Sequence, residues 1–288
     1  MGLSFVSRRA LAVGAMVVAG ALGLSACGGG GETTGASTGD GASSNAPAAA
    51  GGPKLVSPGK LTTCTNLPYE PFQFKEGDKV VGFDVDIVDL AAKKLGLTQE
   101  IVDIDFAVIK SGAAMAAGKC DVAAAGMTIT PERQANIDFS VPYFDATQAL
   151  LAKKGLGVKT LEEIKAKNLK LGAQASTTGL EYVKKQGLNP KEFADSPKEL
   201  LGLQSGQADV IVQDLPVVLT WLKKPEIADK FELIGSLDTG EQYGVGLKKG
   251  ADPVLLKTIN DTITTAKSDG TYEQIFVKWF GKKPGELG

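Results

Sequence analysis

From Leu61 onward, strand-length apolar runs take turns with helix-length amphipathic ones. Residues 61–65, 101–104 and 122–125 read as strands, whereas 86–94 reads as a helix because Ile87, Leu90, Ala91 and Lys94 recur on one face. Residues 113–117 form a shorter helix. Strands alternating with short helices predict an α/β fold with a mostly parallel sheet.

A second unit begins near Leu161. Thr160 with Glu163, and Ser196 with Glu199, have the spacing of capping boxes and so predict helix starts. Between them lie a strand over 169–173 and a helix over 178–186, followed by a strand over 210–213 and a helix over 215–222. Two segments are placed to link the halves: the apolar run 148–152, and 243–247, whose glycines permit bending. Asp252 and Pro253 open a helix reaching about Lys267, and 272–279 forms the last one.

The first 54 residues follow neither pattern. Arg8 and Arg9 precede a 14-residue apolar stretch and then Leu24-Ser25-Ala26-Cys27, a secretory signal peptide (1–26) ending in a lipobox. Spanning a bilayer takes about 20 apolar residues, so the stretch is a cleaved leader. Cys27 is then the lipidation site, carrying palmitate that anchors the exported chain to the outer face of the cell membrane. Ser7-Arg8-Arg9 partly resembles a twin-arginine signal, and both export routes stay open. Residues 27–54 are rich in Gly, Ala, Ser and Thr, a flexible tether reaching roughly 25–30 Å.

Composition excludes several chemistries. Loss of Arg8 and Arg9 with the leader leaves 29 basic against 33 acidic residues, a net charge of −4, so no nucleic acid is expected as partner. With no histidine in the chain, histidine metal sites and triads are ruled out, and no metal or cofactor is expected. Beyond Cys27 only Cys64 and Cys120 remain; on the oxidising side of a membrane they form either a disulfide or two buried thiols on neighbouring strands.

Candidate chemistry gathers at the carboxyl ends of the predicted strands, where ligands bind in open α/β sheets. One end delivers Asn66 and Tyr69. Another delivers Ala125, Gly126, Thr128 and, past a helix start at Thr130-Pro131, Arg133. Gly126 permits close backbone approach, and Arg133 offers a planar fork matched to a carboxylate. An arginine in a first helical turn is otherwise most often a solvated surface residue. In the second unit the strand ends deliver Gln174, the Thr177-Thr178 turn at a helix start, and Gln213 with Asp214. Asp214 taken alone reads first as a helix N-cap before Leu215-Pro216.

The run Gly82-Phe83-Asp84-Val85-Asp86-Ile87, with Ala91, Ala92 and Leu95 after it, resembles the signature of the amino-acid-binding proteins of ABC importers, extracellular solute-binding protein family 3. The resemblance extends from about Leu61 to Phe280, through Pro71-Phe72-Gln73-Phe74, Ile137-Asp138-Phe139-Ser140, Gln213-Asp214 and Lys278-Trp279-Phe280, and is nearest the glutamine-binding type. It implies a two-lobe type II periplasmic-binding-protein fold, with lobe 1 over 55–147 plus 246–288, lobe 2 over 148–245, and two hinge strands between them. It also implies a monomer that closes on a free amino acid and presents it to an ABC permease and its ATPase.

By the same resemblance Arg133 clamps the α-carboxylate with amides near Thr128 and Thr178. Asp214, the Gly126 carbonyl and the Thr128 hydroxyl hold the α-ammonium, and Tyr69 and Phe106 wall the side chain. Phe72, Phe74, Phe83, Phe139, Met115 and Met127 are expected in the core. Asn66 stands where relatives often carry aspartate, Gln174 where the glutamine-binding type carries lysine, and Gln213 where it carries histidine. A neutral, polar distal pocket follows, favouring glutamine, with basic amino acids second. The rivals are a dehydratase-like exported enzyme, for which Asp214 and Glu181 are the available acid–base groups, and a sensory ligand-binding module.

Overall fold

In a computed structural model, described over residues 52–287, the chain builds two five-stranded sheets. The first lobe contributes β1 (Lys60–Thr65), the hairpin β2 (Phe74–Glu76) and β3 (Lys79–Val81), α1 (Phe83–Lys94), β4 (Thr98–Asp103), α2 (Phe106–Lys110), α3 (Ala113–Ala116), β5 (Val122–Ala123), α4 (Pro131–Gln134) and β6 (Ile137–Phe139). The second contributes β7 (Phe144–Lys153), α5 (Leu161–Ala166), β8 (Leu171–Gln174), α6 (Thr178–Lys185), β9 (Lys191–Phe193), α7 (Ser196–Gln204), β10 (Val210–Asp214), α8 (Leu215–Trp221), α9 (Pro225–Ala228) and β11 (Phe231–Tyr243). The chain then returns with β12 (Gly246–Lys248), α10 (Pro253–Asp269) and α11 (Thr271–Phe280). The leader, Cys27 and nearly all of the tether lie outside the described residues.

The strand orders are β4-β1-β5-β12-β6 and β11-β7-β10-β8-β9. In each sheet a single strand runs against the other four: β12 is antiparallel to β5 and β6, and β7 to β10 and β11. Both are the strands entered directly from the other lobe, so the reversals follow from the crossings. The crossings are tied to each other. Ser140 N–H donates to the Val245 carbonyl at 2.9 Å and Tyr143 N–H to the Tyr243 carbonyl at 2.9 Å, while Phe144 pairs with Tyr243. The chain therefore crosses earlier than the apolar run 148–152 suggests. That run is buried inside β7, paired on both sides, because a central strand between two neighbours is apolar on both faces.

Two local expectations shift. The helix read from Asp86 begins at Phe83, behind Gly82, where any Cβ would lie 2.1 Å from the Phe72 carbonyl oxygen. The cap read at Ser196 belongs to Asp195, whose carboxylate takes the Lys198 amide at 2.8 Å. The capping box at Thr160 and Glu163 is formed as read.

The core of the first lobe is aromatic. Phe72 and Phe83 are fully buried and meet Phe144, Phe276 and Phe280, so the C-terminal helices pack back onto the signature run. Asp86 pins the same helix, accepting from Trp279 Nε1 and Lys278 Nζ, each at 2.7 Å. Met115 and Met127 are buried as expected, while Phe74 and Phe139 are only half-buried. Cys64 and Cys120 are bridged, with Cα atoms 5.6 Å apart.

Candidate functional site

The eleven residues singled out at the strand ends, and Phe106 from the resemblance, line one cavity. Asn66, Tyr69, Phe106, Ala125, Gly126, Thr128 and Arg133 come from the first lobe; Gln174, Thr177, Thr178, Gln213 and Asp214 come from the second. Gln73, Gln148 and Val212 also line it and were not anticipated.

Arg133 follows the cap Thr130, whose hydroxyl accepts its amide, and its side chain turns inward until only 5% of the residue is exposed. Its guanidinium donates to the Thr128 carbonyl at 2.8 Å and to the Ser176 carbonyl, across the cleft, at 3.4 Å, and it lies 5.5 Å from the centre of the Phe106 ring. Among the described residues no carboxylate forms an ion pair with it. Burial lowers its pKa, opposed by the more distant charges of Glu181 and Glu241. The fork beside a helix entrance is thus a buried cation, not a solvated one.

Asp214 ends β10 and occupies the N-cap position of α8, yet its side chain caps nothing. Its carboxylate accepts instead from the hydroxyls of Tyr69 and Tyr243 and from Gln148 Nε2. Burial raises its pKa, and those three bonds pull the other way. The two tyrosine hydroxyls are pushed well up by the same burial. The N-cap alternative for Asp214 is therefore set aside by geometry.

Around this pair, α6 begins at the cavity: the Thr177 hydroxyl caps it by accepting from Leu180 N, and the Thr178 hydroxyl lies 3.4 Å from that of Thr128 and donates to Glu241 at 3.0 Å. Gly126 adopts φ +56°, and its amide donates to the buried carboxylate of Asp84 at 2.7 Å. Asp84, the first acid of the signature run, also accepts from the Tyr143 hydroxyl at 2.8 Å. Burial pushes its pKa up to about 7.

The distal wall is made of carboxamides. Asn66 Nδ2 is tied to the Ile104 carbonyl at 3.1 Å. Gln73 and Gln174 are buried, and the Oε1 of each has no hydrogen-bond partner among the described residues. Behind Gln213 stands Glu199, fully buried, its pKa raised well above the usual range by that burial. Glu241 is raised for the same reason. Glu181 does not line the cavity and pairs loosely with Lys110 at 3.8 Å across the mouth. Among the described residues no cluster of three or more metal-ligating side chains occurs, and no helix is long and apolar enough to cross a membrane.

Residues 61–282 match the bacterial extracellular solute-binding proteins, family 3. Over 285 residues, 95% of this chain and 97% of its counterpart, the sequence is 32% identical to a probable histidine-binding protein of Neisseria gonorrhoeae. An ancestral arginine-binding protein bound to glutamine has a similar structure, with a TM-score of 0.71 at 40% identity over 78% of this chain and 99% of that one. An ancestral amino-acid-binding protein described as a precursor of cyclohexadienyl dehydratase gives 0.70 at 33% identity, covering 77% and 96%.

Proposed function

This chain belongs to the bacterial extracellular solute-binding proteins of family 3, and within that family we propose a receptor that captures a free amino acid for an ABC permease and its ATPase. The observation that carries the reading is a buried cation and a buried carboxylate, Arg133 and Asp214, lining one cavity from opposite lobes. A zwitterion bridges them. Arg133 takes the α-carboxylate, helped by the amides at the start of α6, and Asp214 with the Thr128 hydroxyl takes the α-ammonium. Because each end of the ligand is held by a different lobe, only the closed form satisfies both, and binding shifts the population toward closure.

The side chain of the ligand meets Tyr69, Phe106 and the carboxamides. Two unpartnered acceptor oxygens there, on Gln73 and Gln174, favour a side chain that donates hydrogen bonds. Glutamine is the first candidate. Basic amino acids are second, since they too bring N–H donors to these oxygens. We assign no catalytic role: Asp214 already accepts from three donors and its remaining acceptor site is the one assigned to the α-ammonium, while Glu181 stands outside the cavity. Attachment to the membrane through lipid on Cys27 completes the proposal, with the receptor acting as a monomer.

A thermal-shift screen of residues 55–288 against the common amino acids tests it. A ligand at 100 times its dissociation constant adds about 2.7 kcal/mol to stability. Glutamine is expected to give the largest shift and glutamate none. No shift with any amino acid removes the function, and a ligand recovered chemically altered restores the enzyme reading. Labelled palmitate incorporated by the wild-type chain and lost in Cys27→Ser tests the anchor.

A further inference from the structure

Glu199 lies on α7, one layer behind the cavity wall, with none of its surface exposed. Its Oε2 accepts from Gln213 Nε2 at 2.7 Å, while the Ser196 hydroxyl is 3.4 Å from that nitrogen. Among the described residues the other oxygen, Oε1, has no well-formed partner, although the Gln174 backbone amide lies near the carboxyl and pulls its pKa down against burial. Burying a carboxyl group is costly, and an apolar side chain of similar size would fill the space more cheaply. Nor is Glu199 needed to start its helix, since Asp195 supplies the cap. Among the described residues no cation forms an ion pair with it.

The bond to Nε2 sets which way Gln213 faces, together with the Asp214 amide that donates to its oxygen. A carboxamide carries donors on one arm and an acceptor on the other. With the nitrogen turned back to Glu199, the oxygen points forward, 2.7 Å from the Tyr69 hydroxyl of the opposite lobe and 2.8 Å from the Asp214 amide that donates to it. Burial raises the Glu199 pKa, and a proton on Oε1 leaves the bond at Oε2 in place. Gln73 and Gln174 add their unpartnered oxygens to the same cavity.

We propose that Glu199 is a positioning residue for ligand specificity: by holding Gln213 oxygen-forward it makes the distal wall an accepting surface, which admits a side chain bearing N–H groups and rejects one bearing a carboxylate. The inference rests on the amino-acid-binding function proposed above and deepens it. Glutamine and arginine bring donors to these oxygens. Glutamate brings only further acceptors, and its desolvated carboxylate finds no partner there.

Calorimetric titration of the full-length chain with glutamine, arginine and glutamate provides the test. The quantity read is the ratio of the glutamate dissociation constant to that of whichever donor ligand binds tighter. Glu199→Met, which cannot accept, is expected to lower that ratio about tenfold, and Glu199→Gln, which still can, to restore most of it. Glu199→Asp keeps a carboxyl but withdraws it by one methylene; it is expected to behave as the methionine variant and stands in if that variant does not fold. A folded methionine or aspartate variant with the wild-type ratio overturns the proposal. So does equal weakening of all ligands, the result a purely structural role gives. If the wild-type chain binds no amino acid, the proposed function fails first, and that outcome is distinct from an unchanged ratio.

Discussion

Tyr69 and Asp214, one from each lobe, are joined by a hydrogen bond from the tyrosine hydroxyl to the carboxylate. Asp214 receives two further donors and its side chain caps no helix, so charge and capping are separable at this position. Asp214→Asn keeps an acceptor for the tyrosines and removes the charge. Amino-acid affinity is expected to fall 10- to 100-fold, since hydrogen bonds to charged groups contribute about 1.5–3 kcal/mol. The melting temperature is expected to move little. Calorimetric titration beside a thermal melt checks both, and undiminished affinity would take Asp214 out of the site.

Gly126 combines φ +56° with a Cβ position 2.9 Å from Tyr69 Cε1. Gly126→Ala therefore strains the backbone by about 1–2 kcal/mol and displaces the ring that walls the cavity. We expect loss of affinity of at least about tenfold together with modest destabilisation. An alanine variant that binds as wild type would mean that the ring moves freely.

Asp84 has its pKa raised to about 7 by burial, against 3.8 when unperturbed. The folded chain therefore holds a proton that the unfolded chain has released, and stability contributed below the lower value is lost as pH rises through the higher one. Asp214, Glu199 and Glu241 are raised too and slope the same way, so only a comparison isolates Asp84. In Asp84→Asn the decline in melting temperature from about pH 4 to 8 is expected to be shallower than in wild type. Parallel curves would contradict it.

The Cys64–Cys120 bond closes a separation of 56 residues within the cluster that backs Phe106. Replacing both cysteines with alanine is expected to cost about 2–4 kcal/mol, roughly 5–15 °C in melting temperature. Affinity at low temperature is expected to persist. A thermal melt and a titration at 10 °C or so separate stability from binding.

The site was legible because its residues stand at carboxyl ends of parallel strands, where a run of apolar residues stops and polar ones begin. Gln148 escaped for a physical reason. It sits on β7, the reversed strand, whose amino end faces the cleft, so it falls early in an apolar run that reads as a linker. Tyr243 is a hinge residue for the same pattern and gave no sign that its hydroxyl meets Asp214. Glu199 looked like half of a capping box, and only packing reveals that its carboxyl is spent on Gln213. Asp84 lay inside the most recognisable run of the chain, yet sequence spacing cannot tell that a helical carboxylate reaches a glycine amide 42 positions away.

The chain passes between the lobes twice, but the passes are stitched together at Ser140 with Val245 and at Tyr143 with Tyr243. Two strands so laced bend like one ribbon, about a single soft angle, where separate wires would twist and slide independently. In the closure proposed above, opening and shutting would then be the swing of a door on one pin, a one-dimensional search.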